Sequence, residues 1–158
     1  MELILWRHAD AEDQARHSAS DAARELTKRG RKQAERMAKW LDGRLEGHWC
    51  ILVSPAIRTL QTVEPLGRDF DPSEEVGLAA TASSMLRAAG WPDGDENVLV
   101  VGHQPTLGQA AARVLEGRDG DISIKKGAIW WFTIRSRDGS RGTALKAVLD
   151  PDTLESQA

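Results

Sequence analysis

The chain has 158 residues, 41% of them hydrophobic and 28% charged, with a net charge of -3; this suits one soluble globular domain able to bury a core and argues against a disordered chain. An acidic balance supplies no general basic footprint for nucleic acid, so any anion site has to be local. The single cysteine, Cys50, rules out an internal disulfide and a cysteine-rich zinc site, and the apolar run at residues 2–6 is too short for a signal-sequence core or a membrane span, so a cytoplasmic protein with no nucleic-acid and no membrane partner is expected.

Residues 2–6 read as a short buried strand that stops abruptly at Arg7-His8-Ala9-Asp10. Arg-His is thereby delivered at a strand's C-terminal end, the edge where open α/β sheets place ligands. The arginine fork suits phosphate or carboxylate oxygens, and a neutral imidazole can attack phosphorus or take up a proton. Alone, the pair fits a solvated loop with a surface histidine better. Residues 13–24 have no sustained apolar face and are expected to cross the surface as a loop in reach of the site. Thr27 then caps a helix whose Ala34, Met37, Ala38, Leu41 and Leu45 share one face. Lys28, Arg29, Arg31 and Lys32 crowd its first turns, where the helix dipole disfavours cations. They read first as a solvated face and second as a docking surface for a phosphoprotein.

Residues 49–53 form a second short apolar strand, followed by Ser54-Pro55-Ala56-Ile57-Arg58-Thr59-Leu60-Gln61-Thr62. Ser54 is expected to cap this helix, with Pro55 in its first turn and Arg58 about one turn inside. Residues 67–81 make an acidic connection holding Asp69, Asp71, Glu74 and Glu75, with a short strand expected at 76–78. A helix over 81–89 closes at Gly90 and the turn Trp91-Pro92-Asp93-Gly94. Residues 97–102 are the clearest buried strand. They end in His103-Gln104-Pro105-Thr106, and a helix over 107–115 stops at Gly117. Two antiparallel strands, 128–134 and 143–149, join around Asp138-Gly139, and residues 151–158 are expected to be a C-terminal tail.

Three strands thus end at candidate functional groups: Arg7 with His8, Ser54 with Arg58, and His103. A strand followed by a helix three times over implies right-handed crossovers and a mostly parallel sheet, which brings all three ends to one edge. The expected fold is a single-domain, three-layer α/β/α arrangement over residues 1–150.

With these motifs in this order, the chain resembles the histidine phosphatase superfamily, and within it the small SixA-type phosphohistidine phosphatases. The resemblance is carried by Leu5-Trp6-Arg7-His8-Ala9, Leu26-Thr27-Lys28-Arg29-Gly30-Arg31-Lys32-Gln33-Ala34, the segment from Ser54 through Thr62, and Val101-Gly102-His103-Gln104-Pro105. It implies a phosphoglycerate mutase-like fold without a large cap, with His8 as a nucleophile that is transiently phosphorylated. Arg7, Arg58 and His103 would bind the phosphoryl oxygens and stabilise transition-state charge, and Ser54 would either touch substrate or cap its helix. No metal and no cofactor is implied, since phosphoryl transfer needs positioning and positive potential above all.

Two departures from the superfamily pattern stand out. Arg-His-Gly is Arg-His-Ala here, and the segment that matches the usual general acid, residues 77–81, holds no carboxylate, which leaves Asp10, Glu74 and Glu75 as substitutes. An alcohol leaving group suffers by roughly a hundredfold or more without an acid, whereas a ring-protonated phosphohistidine releases a neutral imidazole. The expected function is therefore a metal-independent phosphatase for a histidine-phosphorylated protein, such as a phosphotransfer domain or a phosphocarrier. The alternatives are a phosphomonoesterase for a small metabolite, with Asp10 or Glu75 as acid, and a non-catalytic phosphate-binding module.

Overall fold

The structure, a computed structural model, describes residues 1–13 and 20–155. Six strands form one sheet among these residues, in the order β3-β2-β4-β1-β5-β6. The central pair is β1 (Glu2–Arg7) and β4 (Asn97–Gly102), which run parallel with Leu3 beside Val98 and Arg7 beside Gly102. The strand β2 (Trp49–Val53) lies parallel on the far side of β4, and β3 (Asp71–Pro72) extends that edge. On the other side β5 (Ile129–Arg137) pairs antiparallel with β1, and β6 (Ser140–Leu149) pairs antiparallel with β5. The expected mostly parallel sheet with an antiparallel extension is present, and both hairpin strands run longer than their apolar patterns indicate.

Period-two alternation assigns each central side chain to a layer. Leu3, Leu5, Val98 and Val100 join one buried cluster, while Ile4, Trp6, Leu99 and Val101 join the other. Full burial on both faces is why these strands read as unbroken apolar runs. The first cluster is covered by α3 (Ala82–Ala88) and α4 (Thr106–Glu116), through Met85, Leu86, Leu107 and Ala110. The second is covered by α1 (Lys28–Asp42) and α2 (Ile57–Val63), through Met37, Leu41 and Val63.

Local chemistry sets the helix starts. Thr27 accepts from the Gly30 amide at the head of α1, and Thr81 with Ser84 forms a reciprocal capping box at the head of α3. Ser54 does not cap α2. Two more non-helical residues follow it, so that the cap position falls on Ala56 and Pro55 lies outside the helix. No strand forms at 76–78 either; Glu74–Val76 is a 3-10 turn capped by Ser73, and the edge strand forms earlier, at Asp71–Pro72. The expected tail is also structured in part, because Pro151–Glu155 is a short helix, α5, with Pro151 buried and its carbonyl accepting from Arg36. Residues 156–158, and 14–19 of the expected surface loop, lie outside the described residues.

Candidate active site

Parallel pairing brings the ends of β1, β2 and β4 to one edge, and a cleft of about 320 Å³ opens there. Its walls include Arg7 and His8 after β1, Asp21 and Arg24 from the loop before α1, Arg58 on α2, and His103 with Gln104 after β4. The structure thus brings together Arg7, His8, Arg58 and His103, which lie far apart in sequence. The histidine rings stand 5.5 Å apart between centroids, and each residue is only 6% exposed.

The backbone fixes His8 at both ends. Its amide donates to Gly102 O, and its carbonyl accepts from Gly127 N. Its Nδ1 lies 2.8 Å from the Ala9 carbonyl oxygen. A carbonyl only accepts, so Nδ1 carries the ring proton and the lone pair resides on Nε2. The next amide, of Ala9, donates to Thr62 Oγ1, and the Ala9 methyl packs in a small buried cluster with Leu26 and Ala34. That cluster is how a β-carbon fits where the superfamily pattern has glycine.

Arg7 is held by Nη1 donating to Ile124 O at 2.9 Å and by its amide donating to Ala128 O. Arg58, 3% exposed, donates from Nη1 to Asp21 O at 2.8 Å and from Nη2 to Asp21 Oδ2 at 3.1 Å. In both arginines Nε is buried and has no protein partner among the described residues. Such donors normally find a partner, and two guanidinium groups lining a cleft beside a neutral imidazole suit a tetrahedral oxyanion.

Ser54, expected either to touch substrate or to cap its helix, has its hydroxyl 2.8 Å from His103 Nε2 and accepts from the Ala56 amide at 3.3 Å. Donation of the hydroxyl hydrogen to Nε2 assigns the His103 proton to Nδ1, a buried atom that also lacks a partner. His103 then offers one more N–H donor.

Asp10 and Glu75, the substitute acids, are not walls of the cleft. Asp10 lines an adjoining groove, accepting from Thr27 Oγ1 at 2.8 Å and from Lys126 Nζ at 3.3 Å. Burial raises its pKa, but these hydrogen bonds and the Lys126 charge outweigh that and leave it below the ordinary carboxylate value. Glu75 is exposed on the 3-10 turn, as is Glu74. Among the described residues the one carboxylate in the cleft wall is Asp21. Burial raises its pKa too, and the hydrogen bonds and charges of Arg58 and Arg24 more than reverse that.

Burial, reinforced by the Arg58 charge, pushes the pKa of His8 down to about 3 and of His103 down to about 4. Both are neutral at pH 7, as a nucleophile requires. The unfolded chain binds protons at these positions near pH 6.5, so it takes up protons before the folded state does. Stability from these groups is therefore intact above pH 6.5 and is lost as pH falls towards 4, at up to about 1.4 kcal/mol per pH unit for each. Urea midpoints measured from pH 7 to 4 should fall, and the slope should flatten when His8 and His103 are both replaced by Asn.

Sequence reasoning missed Asp21, Arg24, Gln104 and Lys126 as walls. Asp21 and Arg24 are three residues apart and ion-paired at 2.8 Å, a spacing that residues 13–24 displayed without any apolar period to call attention to it.

Residues 3–81 match the family described as histidine phosphatase superfamily (branch 1). The chain is 33% identical over 129 residues to phosphohistidine phosphatase SixA of Escherichia coli (strain K12), covering 74% of this chain and 76% of that protein. It is 31% identical over 140 residues to a SixA homolog of Haemophilus influenzae, covering 78% and 82%. Among solved structures, protein histidine phosphatase SixA complexed with tungstate superposes with a TM-score of 0.79 at 28% identity, over 98% of this chain and 99% of that one. With its three-layer fold and uncapped cleft, the chain belongs to the histidine phosphatase superfamily and is a phosphatase of that superfamily.

Proposed function

We propose that the protein is a metal-independent phosphohistidine phosphatase that acts on a histidine-phosphorylated protein, a phosphotransfer domain or a phosphocarrier. One observation carries the choice of substrate: the only carboxylate found in the cleft wall among the described residues, Asp21, is bound by two arginines and held charged. A leaving group that needs a proton gets none from it. Phosphohistidine, protonated on its other ring nitrogen, needs none.

His8 Nε2 attacks phosphorus in line with the departing imidazole. The new N–P bond forms as the substrate's N–P bond breaks, and the substrate imidazole leaves neutral with the proton it already carried. Arg7 Nε, Arg58 Nε and His103 Nδ1 donate to the phosphoryl oxygens, where charge is held through the transition state. Water then attacks the phospho-His8: its oxygen joins phosphorus as the Nε2–P bond breaks and returns its electron pair to Nε2, and a water proton passes to the product phosphate, which restores neutral His8. The tungstate carried by the similar SixA structure is a tetrahedral oxyanion of the kind this cleft suits.

A protein substrate is supported by the surroundings of the cleft. Arg7 and Lys126 also line the adjoining groove of about 370 Å³, where Arg29 and Lys125 stand with Asp10, Asp150 and Asp152, Lys126 paired to Asp10 at 3.3 Å and Lys125 to Asp150 at 3.9 Å. Arg29 in that groove and its exposed neighbours Lys28 and Lys32 on α1 have no ion-pair partner among the described residues, so the start of α1 presents an unpaired basic stretch in a chain of net charge -3. An acidic protein face complements it.

The test compares free phosphohistidine, a histidine-phosphorylated phosphotransfer domain and an aryl phosphate ester, with chelator present. N–P cleavage should exceed ester cleavage by about a hundredfold or more in kcat/KM, and added salt should slow the protein substrate more than free phosphohistidine. Higher efficiency on the ester or on sugar phosphates would sink the proposal and favour a phosphomonoesterase.

A further inference from the structure

We infer that Asp21 is a positioning residue for phosphoryl transfer, which clamps one edge of the Arg58 guanidinium and, by its charge, keeps the cleft from retaining free phosphate. The inference rests on the reading of the cleft as a phosphoryl site and goes beyond it in giving a role to a residue that neither attacks nor donates a proton.

The geometry has three parts. Arg58 commits Nη1 and Nη2, the end of its fork, to one residue: Nη1 to the Asp21 main-chain oxygen and Nη2 to its carboxylate. What is left is the side edge, formed by Nε and the second hydrogen of Nη2, and Nε has no other partner among the described residues. A guanidinium gripped at its end presents a bidentate side edge to a phosphoryl group in only one orientation. The grip is itself held, since Asp21 Oδ1 accepts from Arg24 Nε at 2.8 Å and Arg24 Nη1 donates to Glu12 O at 2.8 Å. Asp21 is therefore fixed by two arginines, one on each carboxylate oxygen.

The charge arrangement gives the second half of the role. Among the described residues the cleft wall carries Arg7, Arg24, Arg58 and Lys126, the last paired to Asp10 at 3.3 Å, against the one wall carboxylate of Asp21, with both histidines neutral at pH 7. Without Asp21, such a site would bind a phosphate dianion tightly in its ground state, as product as well as substrate. Uniform tightening of that kind lowers KM without raising kcat and slows release. A carboxylate in contact with Arg58 opposes the resting anion while holding the arginine where the transition state needs it.

Asp21→Asn keeps the main-chain contact and the size of the side chain but removes the charge. Inorganic phosphate and tungstate, titrated by calorimetry, should bind roughly three- to tenfold more tightly than to the wild type, while kcat falls about ten- to a hundredfold. Asp21→Glu should leave anion affinity near the wild-type value. A purely structural residue would lose kcat and anion affinity together, and that result, or no change in either, overturns the inference. Thermal unfolding checks that the variant is folded; should Asp21→Asn not fold, Asp21→Ser makes the same comparison. Failure of the wild type to bind phosphate at all would instead count against the phosphoryl site itself.

Discussion

Replacing His8 by Ala is expected to lower turnover by roughly 10⁴-fold or more and to remove any acid-labile phosphoryl-enzyme. The residue supplies a free lone pair on Nε2 inside the cleft: its Nδ1 is used by the Ala9 carbonyl, and its neighbours Arg7 and Arg58 are donors alone. Phosphate affinity should change far less than turnover, because both arginines and His103 are fixed by contacts that do not pass through the His8 ring. Rapid quench of the wild type with phosphohistidine, followed by alkaline gel separation, reads the intermediate directly. Full activity in the variant would dismiss His8 as nucleophile and leave a phosphate-binding cleft whose chemistry lies elsewhere.

A second large effect is expected outside the cleft wall, at Gly108→Ala in α4. Alanine normally improves a helix interior by about 0.5–1 kcal/mol over glycine. Here the sign reverses, because a β-carbon at this position would overlap the carbonyl oxygen of Ile122. The contact is tight by construction: Gln104 Oε1 accepts from Gly108 N at 2.7 Å, Gln104 Nε2 donates to Ile122 O at 2.9 Å, and Ile122 N donates to Gly108 O. The segment 122–128 cannot move away freely, since Ile124 O takes Arg7 Nη1, Gly127 O takes Trp6 Nε1 and Gly127 N donates to His8 O. Overpacking should cost about 1–3 kcal/mol, and displacement of Arg7 should reduce kcat/KM by about a hundredfold. Urea unfolding and steady-state kinetics read the two losses. Gly43→Ala is the control, because a β-carbon there meets nothing closer than 4.0 Å; an equal loss at both positions would show that the Ile122 contact is not the cause.

The sheet's centre was legible because both its faces are buried. Residues 3–6 and 98–101 form unbroken apolar runs, each followed closely by a functional group, and parallel pairing follows from the helices between them. His8, Arg7, Arg58 and His103 were legible for the same reason, since each stands just beyond a strand or one turn into the following helix. The start of α2 was not, because Ser54 and Pro55 have the chemistry of a cap and a first turn, whereas the chain stays non-helical for two residues and gives the Ser54 hydroxyl to His103. Asp21 was hidden for a different reason. Its partner Arg58 is 37 residues away, and half of the contact is a main-chain oxygen, which any residue type supplies. The segment that frames Arg7 is hidden in the same way, for it works through the carbonyls of Ile122, Ile124 and Gly127.

The position of β1 also bears on how the molecule comes to exist. Its neighbours on both sides, β4 and β5, are made long after it: Leu3 pairs with Val98 and with Phe132. At about 5–20 residues per second, a ribosome needs on the order of 5–20 s to reach the first of these partners. During that interval a strand whose residues 3–6 are all apolar has no ladder to join, and the arginine and histidine at its end face no opposing wall. Nascent chains should therefore rely on holding factors at this stage and show no phosphate affinity until residues beyond the fifth strand have emerged. The same arrangement predicts slow, late-forming activity on refolding, with the catalytic signal appearing at the final cooperative step.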